Sequence, residues 1–135
     1  MALFIWDDSL ATGIEAIDNQ HKKLVSLVNQ LHDAMRERKA KEVIGGLFTE
    51  LKDYTVYHFA TEERAFKDYG YAAAAEHASS HKRLIDSLDE LAQKEARGEL
   101  AVSVDTLTFL IDWVKTHIMK EDKLYVPTLK GKHIA

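Results

Sequence analysis

Four stretches of this chain repeat their apolar residues with a period near 3.6, and very little interrupts them. There is one proline and there are six glycines in 135 residues. A chain patterned this way buries its apolar stripes by laying helix on helix. The first stretch runs from about Asp18 to Arg38, with Leu24, Val25, Val28, Leu31 and Met35 in one stripe and Asp18 as N-cap. The second runs from about Lys41 to Asp68, with Leu47, Phe48, Leu51, Tyr54, Thr55 and Phe66 on one side. Gly45 and Gly46 weaken its first turns by roughly 1 kcal/mol each relative to alanine, and Gly70 falls where a C-cap belongs. The third runs from about Ala72 to Arg97, with Leu84, Leu88 and Leu91 in its stripe and Gly98 as its stop. The fourth starts near Ser103, a good N-cap, and passes Leu107, Leu110, Val114 and Ile118 toward Tyr125, where Pro127 marks its end or a break. Residues 1–17, with Trp6 and Gly13, read as an irregular arm packed on the helices. The connections are short, so sequential helices are antiparallel neighbours. The expected fold is all-α: an up-down-up-down four-helix bundle forming one domain over residues 1–135.

Composition narrows the chemistry. The chain has no cysteine, which excludes disulfides, iron–sulfur clusters and thiolate zinc sites. Any metal must be held by nitrogen and oxygen. The formal net charge is −4, the wrong sign for a sequence-independent nucleic-acid binder. The N-terminus MALFIWDDSL lacks the positive region and apolar run of a secretory signal. No stretch reaches the roughly 18 apolar residues that span a bilayer. The expected location is the cytoplasm, without direct membrane insertion, although a domain cut from a membrane receptor would read the same.

Five of the seven histidines belong to one pattern: His21 alone, His58 with Glu62, His77 with His81, and His117 with Asp122. In an antiparallel bundle the start of helix one, the end of helix two, the start of helix three and the end of helix four are the same end. Scattered core histidines have no reason to obey that rule. Residues four apart on a helix differ by about 40° around the axis, so His58 and Glu62 face one volume, as do His77 and His81. His117 and Asp122 are five apart, about 140° on a regular helix. Glu121 fits a regular helix better, and Asp122 converges only through a π-bulge or similar distortion. His32 shares the face of His21 but sits about 16 Å further along, and reads as a packed or hydrogen-bonded histidine. His133, in the polar tail, reads as solvated. Glu63 points about 100° from Glu62 and reads as a surface charge. Lys22, Lys23, Lys82 and Arg83 read as solvated faces.

Five imidazoles and two carboxylates are too many ligands for one ion and too polar to bury without one. Two ions bridged by Glu62, Asp122 and an oxo or hydroxo group leave six terminal positions. Five histidines fill five of them, and one position stays open. Imidazole with carboxylate in octahedral geometry favours iron. The di-iron carboxylate enzymes use four carboxylates and two Glu-x-x-His motifs; this chain has no Glu-x-x-His. The smaller negative charge disfavours the high-valent states that break the O–O bond, so reversible O2 binding is expected.

The motifs IDNQH at 17–21, YTVYHFATEE at 54–63, HASSH at 77–81 and WVKTHIMKED at 113–122, together with Trp6, resemble the hemerythrin family, more closely its bacterial branch. All seven ligand positions of the family pattern are present, and the pattern chooses Asp122 over Glu121. The resemblance implies that one iron takes His77, His81 and His117, that the other takes His21 and His58 and keeps the open position, and that Glu62 and Asp122 bridge. It implies O2 as the small-molecule ligand, bound at the open position with no side chain acting as acid or base. Trp113, Val114, Phe59 and Ile118 are candidates to line an apolar O2 pocket, with plain core packing as the alternative for each. Val114 stands where relatives often carry leucine, and its smaller size opens a path for solvent. Transport, storage or delivery of O2 by a protein that is not an enzyme is the leading expectation. The rivals are an O2 or redox sensor domain with a signalling partner domain, and a di-iron enzyme acting on peroxide or nitric oxide.

Overall fold

A computed structural model describes residues 5–37, 41–96, 111–132 and 134. Three long helices are α1, Glu15–Arg36; α2, Lys41–Tyr69; and α3, Ala74–Ala96. The fourth, α4, is helical over residues 111–116. It continues through a π-helical turn, His117–Glu121, a 3-10 turn, Asp122–Tyr125, and a last α-turn, Val126–Leu129. No strand occurs among the described residues. The result is the expected up-down-up-down bundle. Ser103, Leu107 and Leu110, expected at the start of α4, lie outside the described residues, as do Arg97, Gly98 and His133.

The helix ends follow from local chemistry, and some differ from the expectation. Asp18 is not the N-cap of α1. The cap position is Ile14, whose apolar side chain makes no cap bond, and Asp18 works from inside the first turn. Its carboxylate accepts the Thr12 N–H and hydroxyl at 2.8 Å each and the Gly13 N–H at 3.1 Å. The arm thus wraps around a helical acid that also suits the positive end of the helix dipole. Gly13 makes that wrap possible, with φ of 80°. α3 starts at Ala74 rather than Ala72 because the chain first closes α2. Gly70, at φ 71°, and Tyr71 both donate to the Phe66 carbonyl, at 2.9 and 3.1 Å. The Phe66 and Tyr71 rings then pack 4.9 Å apart, the apolar contact that accompanies this kind of cap. Pro127 marks a break in α4 rather than its end. It sits in the first residues of the last α-turn, where its missing N–H costs nothing.

Apolar side chains surround the histidine end on three sides. Leu24, Leu27, Val28, Leu31, Phe48, Leu51, Phe59, Leu84 and Leu88 fill the body of the bundle. Ile14, Ile17, Ala65, Phe66, Tyr125 and Leu129 close the end. Leu10, Val25, Val114 and Ile118 pack the arm onto α1 and α4, with Trp6 against them. The arm is therefore part of the wall, not a loose tail. The polar residues at this end lie in a dry layer between apolar ones.

Candidate metal centre

Each helix delivers its donors by its own local geometry. His21 lies two turns into α1 on the stripe of Leu24 and Val28. On α2 and α3 the four-residue spacing turns His58 with Glu62, and His77 with His81, inward. α4 cannot do this with a regular helix. Its π-turn, in which the Asp122 N–H donates to the His117 carbonyl, takes up the fifth residue. Asp122 Oδ1 then stands 2.9 Å from His117 Nε2. Glu121 is turned outward, and its carboxylate meets His117 Nδ1 at 2.5 Å instead. The structure brings Asp122, not Glu121, to the converging nitrogens.

All seven side chains are buried, none more than 4% exposed. One group is His77, His81, His117, Glu62 and Asp122; the other is His21, His58, Glu62 and Asp122. Within each, one donor atom per residue lies within 4.8 Å of every other, and both carboxylates belong to both groups. His117 Nε2 is 3.2 Å from His77 Nε2 and 3.1 Å from His81 Nε2. Asp122 Oδ1 is 2.9 Å from His77 Nε2, and Glu62 Oε1 is 3.1 Å from His81 Nε2. On the other side, Asp122 Oδ2 is 2.9 Å from His21 Nε2, and Glu62 Oε1 is 3.4 Å from His58 Nε2.

These spacings fit metal ions. Neighbouring donors held about 2.1 Å from a six-coordinate ion lie about 3.0 Å apart. The outward nitrogens of several rings are already committed as donors. His81 Nδ1 faces Glu63 Oε2 at 3.1 Å, His117 Nδ1 faces Glu121, and His58 Nδ1 faces Gln20 Oε1 at 2.6 Å. Their inward Nε2 atoms are then bare lone pairs aimed at one another, which a cation relieves. Glu62 Oε1, both Asp122 oxygens and both His21 nitrogens are fully buried and make no regular hydrogen bond among the described residues; the Asp122 oxygens meet only the Nε2 atoms of His21, His77 and His117, at 2.9 Å. Buried lone pairs crowded together in this number are costly unless something positive sits among them.

The titration behaviour of the bare site says the same. Burial holds His58 down at about 4, and burial with the neighbouring His117 holds His81 down at about 3. Burial also opposes charge on His117, but the carboxylates of Asp122, Glu121 and Glu62 outweigh it and carry that imidazole up to about 10. Without metal, one proton on His117 stands in for the cation. Burial and the nearby Asp122 charge raise Glu62. Asp122 is held well below its ordinary value, against its burial, chiefly by His117.

Four partners of the site were not legible as such in the sequence. Glu63, expected to be a surface charge, has its carboxylate on His81. Glu121, expected only as a rival to Asp122, is anchored by Ser80 Oγ at 3.0 Å as it holds His117. Gln20 receives His58 and donates its amide to Thr61 Oγ1 at 3.3 Å. The hydroxyl of Tyr125, itself fully buried, donates to Glu62 Oε2 at 2.5 Å. A residue one step from a ligand points about 100° away on its own helix. Glu63 and Gln20 reach the site only through a histidine on the helix packed beside them, and Glu121 through His117 one turn back on its own helix. Of the other histidines, His32 is partly buried, with Nδ1 3.6 Å from Asp33 Oδ1. Lys22, Lys23, Lys82 and Arg83 are exposed as expected.

Beside the group with two histidines lies a small apolar cavity, about 10 Å³ of space open to a water-sized guest. Phe59, Trp113, Val114 and Ile118 line it with Leu24, Thr55, His21 and His58, and it also reaches His117 and Asp122. Trp113 stacks on His117, and Phe59 stacks on His81 with ring centres 3.7 Å apart.

A helix bundle that buries two nitrogen–oxygen donor groups around two shared carboxylates is a dinuclear metal-binding protein in its class. The profile of the hemerythrin HHE cation-binding domain matches residues 12–129. A bacteriohemerythrin of Methylococcus capsulatus is 39% identical over 132 residues, spanning 97% of this chain and 100% of the relative. One of Pseudomonas aeruginosa is 38% identical over 130 residues, 96% of this chain and 84% of the relative. A crystal structure of wild-type hemerythrin superposes with a TM-score of 0.91 at 37% identity, covering 96% of this chain and all of that one. The chain belongs to the hemerythrin family. Hemerythrins hold a pair of irons and bind O2, and the donor set described above is of that kind.

Proposed function

We propose that the protein binds O2 reversibly at a non-haem di-iron centre, in transport, storage or delivery of the gas, and that it does so in the cytoplasm. The observation that carries this reading is the pair of unequal donor groups sharing Glu62 and Asp122. His77, His81 and His117 would hold one iron, His21 and His58 the other, with both carboxylates as bridges. The irons, when bound, supply the electrons that O2 takes up and returns on release.

The chain's own residues do the rest. The side with only two histidines has fewer protein donors, and both of its histidines line the apolar cavity, which touches the other side's histidines through His117 alone. Phe59, Trp113, Val114 and Ile118 give that cavity apolar walls, which offer water no hydrogen bond and suit a small apolar guest. The one hydroxyl on the wall, that of Thr55, is spent on the Leu51 carbonyl at 2.7 Å. No lining side chain other than the proposed ligands is left to move a proton. This favours a carrier over an enzyme. Tyr125 fixes Glu62 between the two groups, and its proton stays in place because burial and the Glu62 charge raise the phenol well above its ordinary value.

The test is optical. Protein loaded anaerobically with Fe(II) should gain a visible charge-transfer band when O2 is admitted, and lose it when O2 is purged, over repeated cycles. A single irreversible change, or steady consumption of O2 with a reductant present, contradicts a carrier.

A further inference from the structure

The outward nitrogens of the histidines do not have equivalent partners, and the difference divides along the two donor groups. In the three-histidine group, His81 Nδ1 faces the Glu63 carboxylate at 3.1 Å and His117 Nδ1 faces the Glu121 carboxylate at 2.5 Å. Ser80 donates to Glu121 and fixes it there. In the two-histidine group, His58 Nδ1 faces the neutral carbonyl of Gln20 at 2.6 Å. The Gln20 amide points the other way, to Thr61, which sets its carbonyl toward the histidine. No group among the described residues bonds His21 Nδ1. One side has two anionic acceptors behind its imidazoles, and the other has none.

We propose that Glu63 and Glu121 are positioning residues that make the two irons unequal in redox potential. An imidazole N–H given to a carboxylate raises the donor strength of the opposite ring nitrogen and fixes its tautomer. The iron held by His77, His81 and His117 is therefore easier to oxidise than the iron held by His21 and His58. Glu63 and Glu121 are 42% and 38% exposed in their side chains, so both carboxylates stand at the surface edge of the site. Their influence reaches the buried nitrogens through the rings. The inequality rests on the di-iron reading above and adds to it an order of oxidation.

The test is a spectroelectrochemical titration of the iron-loaded protein with iron stoichiometry measured alongside. Glu63→Gln and Glu121→Gln each keep an acceptor oxygen and remove the charge. Both should keep two irons. Each should raise the midpoint of one oxidation step by about 59 mV, a tenfold change in a one-electron equilibrium. Gln20→Glu should lower the other step and narrow the gap between them. Unchanged midpoints with two irons in place overturn the proposal. Loss of iron from both glutamine variants also overturns it, because the carboxylates would then be holding the centre together rather than tuning it. A wild-type protein that never takes two irons contradicts the di-iron reading itself, which separates the two failures.

Discussion

Asp122 and Glu121 are adjacent carboxylates with opposite placement. One is buried among three imidazole nitrogens, and the other bonds the outward nitrogen of His117 from the surface. Asp122→Asn should therefore reduce the iron content to at most one per chain, while Glu121→Gln retains two; elemental analysis of both variants checks this. Equal loss from the two would mean that the buried position is not special. Val114 is 7% exposed and lines the cavity beside His21 and His58. Val114→Leu adds a methylene to that wall and should slow autoxidation by a factor of a few, read as decay of the O2-bound spectrum. An unchanged rate removes the idea that Val114 admits solvent. The metal-free site also has a pH signature. Below about 6.5 the unfolded chain protonates His58 and His81, while the folded chain holds them neutral down to about 4 and 3. Stability from these two is full above that point and is lost as pH falls toward 4, at most about 1.4 kcal/mol per pH unit from each. Raised Glu62 offsets part of this loss. His117, raised to about 10, works at the other end: its contribution is complete below about 6.5 and is lost as pH rises through 10. Urea unfolding of metal-free protein at pH 7 and pH 4.5 should show the acid loss, and equal midpoints contradict it.

At the scale of elements, the three regular helices were legible from period and spacing. α2 and α3 carry their inward pairs at four-residue steps, and any helix with that spacing converges. α4 was legible only as a problem. Five residues from His117 to Asp122 do not converge on a regular helix, and nothing in HIMKED states that a π-turn forms there. The turn depends on what it brings together: His117 and Asp122 at the centre, and Tyr125 against Glu62. Tertiary contacts choose it over the locally regular helix. The partners of the ring nitrogens were hidden for the same reason, since Glu63 meets His81 only across the α2–α3 contact. Asp18 misled because an acid before an apolar stripe resembles a cap, while the actual cap bonds come from the arm folding back on it. The turn after α2 makes a separate prediction. Gly70 has φ of 71°, and a Cβ there meets nothing within 4 Å. Gly70→Ala should cost about 1 kcal/mol through backbone strain alone. Its unfolding midpoint should drop while iron content stays the same, and an unchanged midpoint rules out strain at this turn.

The whole molecule is a support for one end of a bundle. The long apolar body stabilises the helices and fixes their register, and the register brings donors distant in sequence into two groups. The arm and the last turn of α4 close that end, so the polar layer is sealed by Trp6, Leu10, Tyr125 and Leu129 as well as by the helices. A buried layer with this many crowded lone pairs does not explain itself as core. Its spacing and donor chemistry fit the proposed pair of cations sharing Glu62 and Asp122. The most direct measurement is the number of irons the chain takes up: anaerobic titration with Fe(II), followed by removal of loose metal and elemental analysis. Two irons per chain in the wild type is the predicted result. One iron, or zinc or manganese retained in preference to iron under the same conditions, would contradict it.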